Sequence, residues 1–161
     1  MTLGHWGFSW TGLLFLALLM APNLLWTKNK PKGYSAAGED RRLLALERIG
    51  EAGTVCTALV FRDTNPGPWS AWSLWLAAAA LLMLLYECWC ARYFKSGKQL
   101  SDFYSSFLGV PLAGATLPVA AFGLLGVYGR LLPLLFFTLV LGVGHIGIHL
   151  QHYRALARGR G

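Results

Sequence analysis

The sequence predicts an all-α fold: a polytopic transmembrane helix bundle of five spans with a short amphipathic helix on the cytoplasmic interface. Three observations predict it. Hydrophobic residues make up 55% of the 161 residues and charged residues only 13%, too apolar a balance for a single solvated domain. Apolar stretches of about 20 residues, the length that crosses a hydrocarbon core, recur along most of the chain. Tryptophan and tyrosine gather at the ends of these stretches, where amphipathic rings sit at headgroup level. Residues 1–161 read as one integral membrane domain.

The first span is expected at 6–26, with Trp6 and Trp10 at its outer end and Trp26 at its inner end. Its Lys cluster follows the apolar run instead of preceding it, so the run reads as a retained helix and not as a signal peptide. The loop K-N-K-P-K-G-Y-S-A-A-G then carries Pro31 and Gly33 as breakers. Glu39 and Asp40 suit the first turn of the next helix, where acidic groups complement the dipole. The second span is expected at 43–61 and the third at 69–91, joined by the N-P-G-P turn. The fourth, 110–128, and the fifth, 131–150, are joined by so short a link that they must be antiparallel neighbours. Glycines 123, 126 and 129, facing glycines 142, 144 and 147, would let those two backbones approach closely. The same glycine faces suit assembly into a homo-oligomer or a larger membrane complex.

Between the third and fourth spans, Leu100, Phe103, Tyr104, Phe107 and Leu108 recur at helical spacing, with Ser101, Asp102, Ser105 and Ser106 opposite. The spacing predicts an amphipathic helix over 100–108 lying on the membrane surface as an anchor, with a lid over a site as the alternative.

Charge placement sets the expected topology. Of the 14 Lys and Arg residues, only Arg62 and Arg130 fall on one side of these spans. The other side holds the rest, Arg160 included, so the N-terminus is expected outside and the C-terminus inside a bacterial-type plasma membrane. The net charge of +7 is then a topology signal whose partner is anionic lipid headgroups, and no nucleic-acid partner is implied. Three cysteines form no disulfide framework, and C-W-C is not the C-x-x-C of a redox or zinc motif. They read as packing residues.

The second span carries the chemistry. Its strictly apolar part is too short to cross, so the helix must draw Glu51 and Glu47 below the headgroups, where ionisable groups are costly and usually functional. Glu47, Glu51 and Thr54 share one face, and Arg48 is placed to pair with Glu51. In the fifth span His145, His149 and His152 stack at i, i+4 and i+7, with His145 roughly 7–8 Å inside Leu150. Glu47 enters to a similar depth from the same side, and Glu87 adds a shallower carboxylate on the third span. The expected site is therefore Glu47, Arg48, Glu51, Glu87, His145 and His149, with Glu51 and His145 as the deep pair. His152 and Gln151 read as solvated at the surface, and His5 as incidental.

Such a layer binds a proton or a divalent cation, for transport or for metal-dependent chemistry on a lipid-soluble substrate. A metal would draw on His145, His149, Glu47 and Glu51. H-I-G-I-H lacks the glutamate of H-E-x-x-H, so a zincin-like protease is not indicated. Two alternatives stand beside this: a lipid- or prenyl-modifying enzyme with the Tyr34 loop and 100–108 shaping its entry, or an accessory scaffold whose polar pairs only specify helix pairing.

Overall fold

The computed structural model describes residues 1–158, so Arg160 lies outside the described residues. Six helices carry the fold: α1 Trp10–Lys28, α2 Arg41–Val60, α3 Ser73–Lys95, α4 Leu100–Phe103, α5 Ala113–Tyr128 and α6 Leu132–Arg158. Among the described residues there is no β-strand, only isolated bridges. Three helices, α1, α3 and α6, are long and apolar enough to cross a membrane, which is compatible with a membrane protein. The remaining two expected spans have weaker spanning character, each for its own reason. α2 has 20 residues, but Arg41, Arg42, Glu47, Arg48 and Glu51 make it polar. α5 is apolar but has 16 residues, roughly 24 Å of helix against a core of about 30 Å.

The first helix starts later than its aromatic residues predict. Residues 2–9 are extended and hydrogen-bond across the molecule: Thr2 N–H to Arg130 O, Gly7 N–H to Val60 O and Ser9 N–H to Leu59 O. Gly7 at positive φ and Ser9 in an extended conformation keep this backbone out of the helix before Trp10. α1 is capped by two residues far apart in sequence. Ser9 Oγ accepts from Gly12 N–H at 2.8 Å, and Asn65 Oδ1 accepts from Trp10 N–H at 2.8 Å. His5 is not incidental, because its backbone N–H and its Nδ1 both reach the Asp63 carboxylate, at 2.6 and 2.7 Å. Burial pushes the Asp63 carboxyl up, but the hydrogen bonds from His5 outweigh it and leave the group below its usual range.

The expected surface helix over 100–108 lasts one turn. Phe107 and Val110 exchange backbone hydrogen bonds across a tight turn with Leu108 and Gly109 at positive φ, which no continuing helix allows. Arg92 holds the turn from outside, donating to Ser105 Oγ and Ser106 O. Phe103 and Tyr104 point inward, are buried and cover the bundle's interior, while Leu108 at the turn stays exposed.

α2 packs chiefly against α6, and α5 against α3 and α6. The short α5–α6 link thus delivers the expected antiparallel neighbour for α6, but the closest seam is between α2 and α6. Gly144 meets the Glu47 backbone, Gly147 meets Leu43, Gly50 meets Leu141 and Gly53 meets Phe137. Position numbers rise along α2 as they fall along α6, which makes the pair antiparallel. Gly144 and Gly147, expected against the fourth span, serve this seam instead; of the six glycines only Gly126 and Gly142 meet side chains across the α5–α6 pair. Of the cysteines only Cys90 is buried; Cys56 and Cys88 are exposed, against the expectation that all three pack.

The loops sort into two ends. Lys32 N–H to Lys98 O, and Asp40 N–H to Gln151 Oε1, gather residues 29–40, 96–99 and the last turns of α6 at a basic end. The N-terminus, Arg62 and Arg130 lie at the opposite end.

Candidate functional site

Two elements position the site's acids. Asp40 caps α2, its Oδ1 accepting from Arg42 N–H at 2.7 Å and Leu43 N–H at 3.1 Å, and so sets where the helix begins. Those backbone donors hold the Asp40 carboxyl below its usual range. About two turns later Glu47 lies on the glycine seam with α6. There Glu47 Oε1 and His145 Nδ1 stand 2.6 Å apart, an imidazole–carboxylate hydrogen bond between residues 98 apart in sequence. Both side chains are partly buried, at 22% and 29% exposure, where such bonds are stronger than in water.

A second pair closes the basic end. His152 Nε2 lies 2.9 Å from Glu39 Oε1, and the Tyr34 hydroxyl donates to the same carboxylate oxygen at 3.4 Å. Burial, with Glu39 beside it, pushes the Tyr34 phenol up to about 12, so it stays a donor at neutral pH. Gln151 fastens this corner by donating to Gly38 O at 2.7 Å while accepting from Asp40 N–H at 3.2 Å. His152 and Gln151 are therefore engaged, contrary to the solvated reading. Between the pairs lies His149, its ring 4.6 Å from that of His145 and against Phe103 and Tyr104 at 5.6 and 5.8 Å. Among the described residues it has no hydrogen-bond partner. Tyr104 in turn stacks on His152 at 6.1 Å. Its own phenol is raised by burial first, then by Tyr34 and Glu39. Three imidazoles thus form a ladder along α6 with a carboxylate at each end.

The ladder lines a cavity of about 230 Å3, walled by Trp26, Tyr86, Trp89, Tyr93, Phe103 and Tyr104. A second cavity of about 250 Å3 adjoins it, sharing Asn23, Glu47, Tyr86, Gly114 and His145 and continuing between Leu19, Phe122 and Leu141. Glu47 and His145 stand where the two meet. The rim is tied by Tyr93 hydroxyl donating to Asn29 O at 2.7 Å and Lys98 Nζ donating to Asn29 Oδ1 at 2.6 Å.

The expected site is brought together in part. Glu47, His145 and His149 meet. Glu51 is not the partner of His145: it is exposed and lines only the second cavity. Arg48 is exposed too, and no Arg48–Glu51 ion pair forms among the described residues. The seam with α6 admits Glu47; Arg48 lies about 100° round the helix from it, and Glu51 lies one turn further along, beyond the reach of His145. Glu87 lines neither cavity; one of its carboxylate oxygens is buried without a partner on α3. The metal set His145, His149, Glu47 and Glu51 does not close, for no group of three or more His, Cys, Asp or Glu among the described residues is placed to hold an ion. Glu47 is committed to His145 and Glu51 is exposed at the edge of the second cavity, which leaves a divalent ion too few ligands.

Sequence reasoning missed Glu39, because an acid at a helix start has a sufficient local explanation in the dipole. It also missed the inward turn of Trp26, Trp89 and Tyr104, whose types suit a headgroup belt equally well. The signal that could have found Glu39 is its pairing by depth with His152, at the same end of antiparallel helices.

Neither a family model, nor a curated protein, nor a solved structure matches this chain.

Proposed function

We propose that this chain is a multi-pass protein of a bacterial-type plasma membrane, with five spans, N-terminus out and C-terminus in, whose Glu47–His145–His149–His152–Glu39 ladder binds protons and passes them between the cytoplasmic face and the aromatic cavity. The cavity then serves transport of, or chemistry on, a lipid-soluble substrate. The observation that carries this reading is the 2.6 Å contact of Glu47 with His145, made across two helices at the junction of two cavities. Ionisable groups are kept at such depth where they act.

Imidazole titrates in the physiological range and a carboxylate beside it holds the proton, so alternating groups spaced along one helix face form a relay. The proton version is favoured over the divalent-cation version by the ligand count, because each carboxylate of the ladder is spent on one histidine. The basic end would lie against anionic headgroups, which attract Lys and Arg near the surface. Association into oligomers is left to the same bilayer.

Infrared difference spectra of the nanodisc-embedded protein across about pH 5 to 8 test the relay. Carboxylate and imidazole bands are expected to change together, and Glu47→Gln or His145→Gln is expected to remove both changes at once. Bands that titrate independently, each surviving loss of the other partner, would sink the relay. If the variants only lower thermal stability and leave the spectra unchanged, the polar pairs serve helix pairing and the protein is a scaffold subunit.

A further inference from the structure

We infer that the aromatic cavity receives the planar, uncharged head group of a prenylated quinone, with its tail along the apolar side of the adjoining cavity; this deepens the proton-relay reading and rests on it for the site's purpose, but on the lining alone for the ligand's chemistry. Charge comes first. No Lys or Arg lines either cavity, and the nearest cations, Lys98 on Asn29 at the rim and Lys30 over the Trp26 ring, are already engaged, so the lining holds no cation for a phosphate head group. Glu39 and Glu47 are each bound to a histidine, so a cationic head group would find no free carboxylate at the inner wall. Glu51, the remaining acid, is exposed at the edge of the second cavity. A neutral head group is what this lining admits.

Shape and hydrogen bonding narrow it further. Tyr86, Trp89 and Tyr93 stack in series along α3, with ring centroids 6.3 and 6.0 Å apart and planes within 19° and 10°. The stack forms an aromatic side of the cavity, and Phe103 from the covering segment stands edge-on to Trp89 at 5.4 Å. Aromatic linings favour a flat conjugated guest, which can join such a stack or meet it edge-on. The indole N–H groups of Trp26 and Trp89 are buried without an acceptor, and Trp89 is only 4% exposed. An unmet buried donor costs free energy that an acceptor on a ligand would return. His149, also without a protein partner, adds a third group to the same wall. A ring bearing two carbonyl oxygens supplies acceptors and flatness together, and an isoprenoid tail matches Leu19, Pro118, Val119, Phe122 and Leu141 beyond it. Taken together the two cavities fall within the roughly 300–1,000 Å3 of small-molecule sites.

The test uses the full chain in nanodiscs and two probes, a benzoquinone carrying a two-isoprene tail and geraniol, the same tail ending in an alcohol. Saturable quenching of tryptophan fluorescence by the quinone is expected, undiminished by a tenfold excess of geraniol. Trp89→Phe and, as a second variant, His149→Gln are each expected to weaken the half-saturation concentration about five- to tenfold, as loss of one buried hydrogen bond would. Quenching no greater than in nanodiscs holding a tryptophan-bearing peptide overturns the inference. So does displacement by equal geraniol, which would mean that the tail alone is bound, or full affinity in both variants. The outcome is separable from the relay: quinone binding with uncoupled infrared bands removes the relay and keeps the ligand, and coupled bands with no quinone binding do the reverse.

Discussion

Gly144→Ala probes the seam on which the site depends. An alanine Cβ there would stand 2.7 Å from both Glu47 Cα and Leu43 O, with Glu47 N nearer still, while ordinary contact begins at 3.4 Å. The obstructing atoms are backbone, so no side chain can swing aside, and the nearest of them, Glu47 N, makes α2 retreat by about 1 Å. Overpacking of this kind costs about 1–3 kcal/mol, and the better helix propensity of alanine offsets up to about 1 kcal/mol of it. The net loss is about 1–2 kcal/mol, or roughly 2–8 °C in Tm for a chain of this size. The same retreat would stretch the 2.6 Å Glu47–His145 bond to roughly 3.6 Å, beyond the N–H···O range. Gly123→Ala is the control, since nothing lies within 4 Å of its Cβ; it is expected to be neutral or to gain up to about 1 kcal/mol. Thermal unfolding in detergent, followed by intrinsic fluorescence, reads stability, and the coupled carboxylate–imidazole infrared bands read the site. A Gly144→Ala protein as stable as the parent, with its bands intact, would refute both the seam and its register.

Three further outcomes are expected. Ser9→Ala should cost about 2–4 kcal/mol in the same melting assay, because it removes the α1 cap and orphans Thr64, whose hydroxyl lies 2.6 Å from Ser9 Oγ in a fully buried site; a loss below about 0.5 kcal/mol would mean that the N-terminal segment does not pack there. Asp63 has a depressed folded pKa, so the stability it contributes is present above the ordinary carboxylate range and is lost as pH falls through the lowered value. Asp63→Asn should therefore lower Tm at neutral pH and flatten its fall in acid, and an unchanged acid limb would contradict the His5–Asp63 contact. A double-mutant cycle of Glu39→Gln with His152→Gln should give a coupling of about 0.5–2 kcal/mol, and additivity within about 0.3 kcal/mol would place the two side chains apart.

Composition and periodicity determined the helical class, the apolar character of α1, α3 and α6, the gathering of basic residues at one end and the common depth of Glu47 and His145. Each is a property of position along a helix axis, and a rise of about 1.5 Å per residue converts sequence into depth directly. The tertiary structure alone decided azimuth and lateral neighbours. Glu47 and Glu51 lie one turn apart on nearly the same face, and only the close seam, with Gly50 and Gly53 against Leu141 and Phe137 and with Gly144 and Gly147 against Glu47 and Leu43, selects Glu47 for His145. Likewise 100–108 has the spacing of a helix, but a reciprocal Phe107–Val110 turn and positive φ at Leu108 end it after Phe103 and fold Tyr104 onto His149 and His152. Local pattern carries no term for which helix lies beside which, because that choice is made by backbone fit between residues a hundred positions apart.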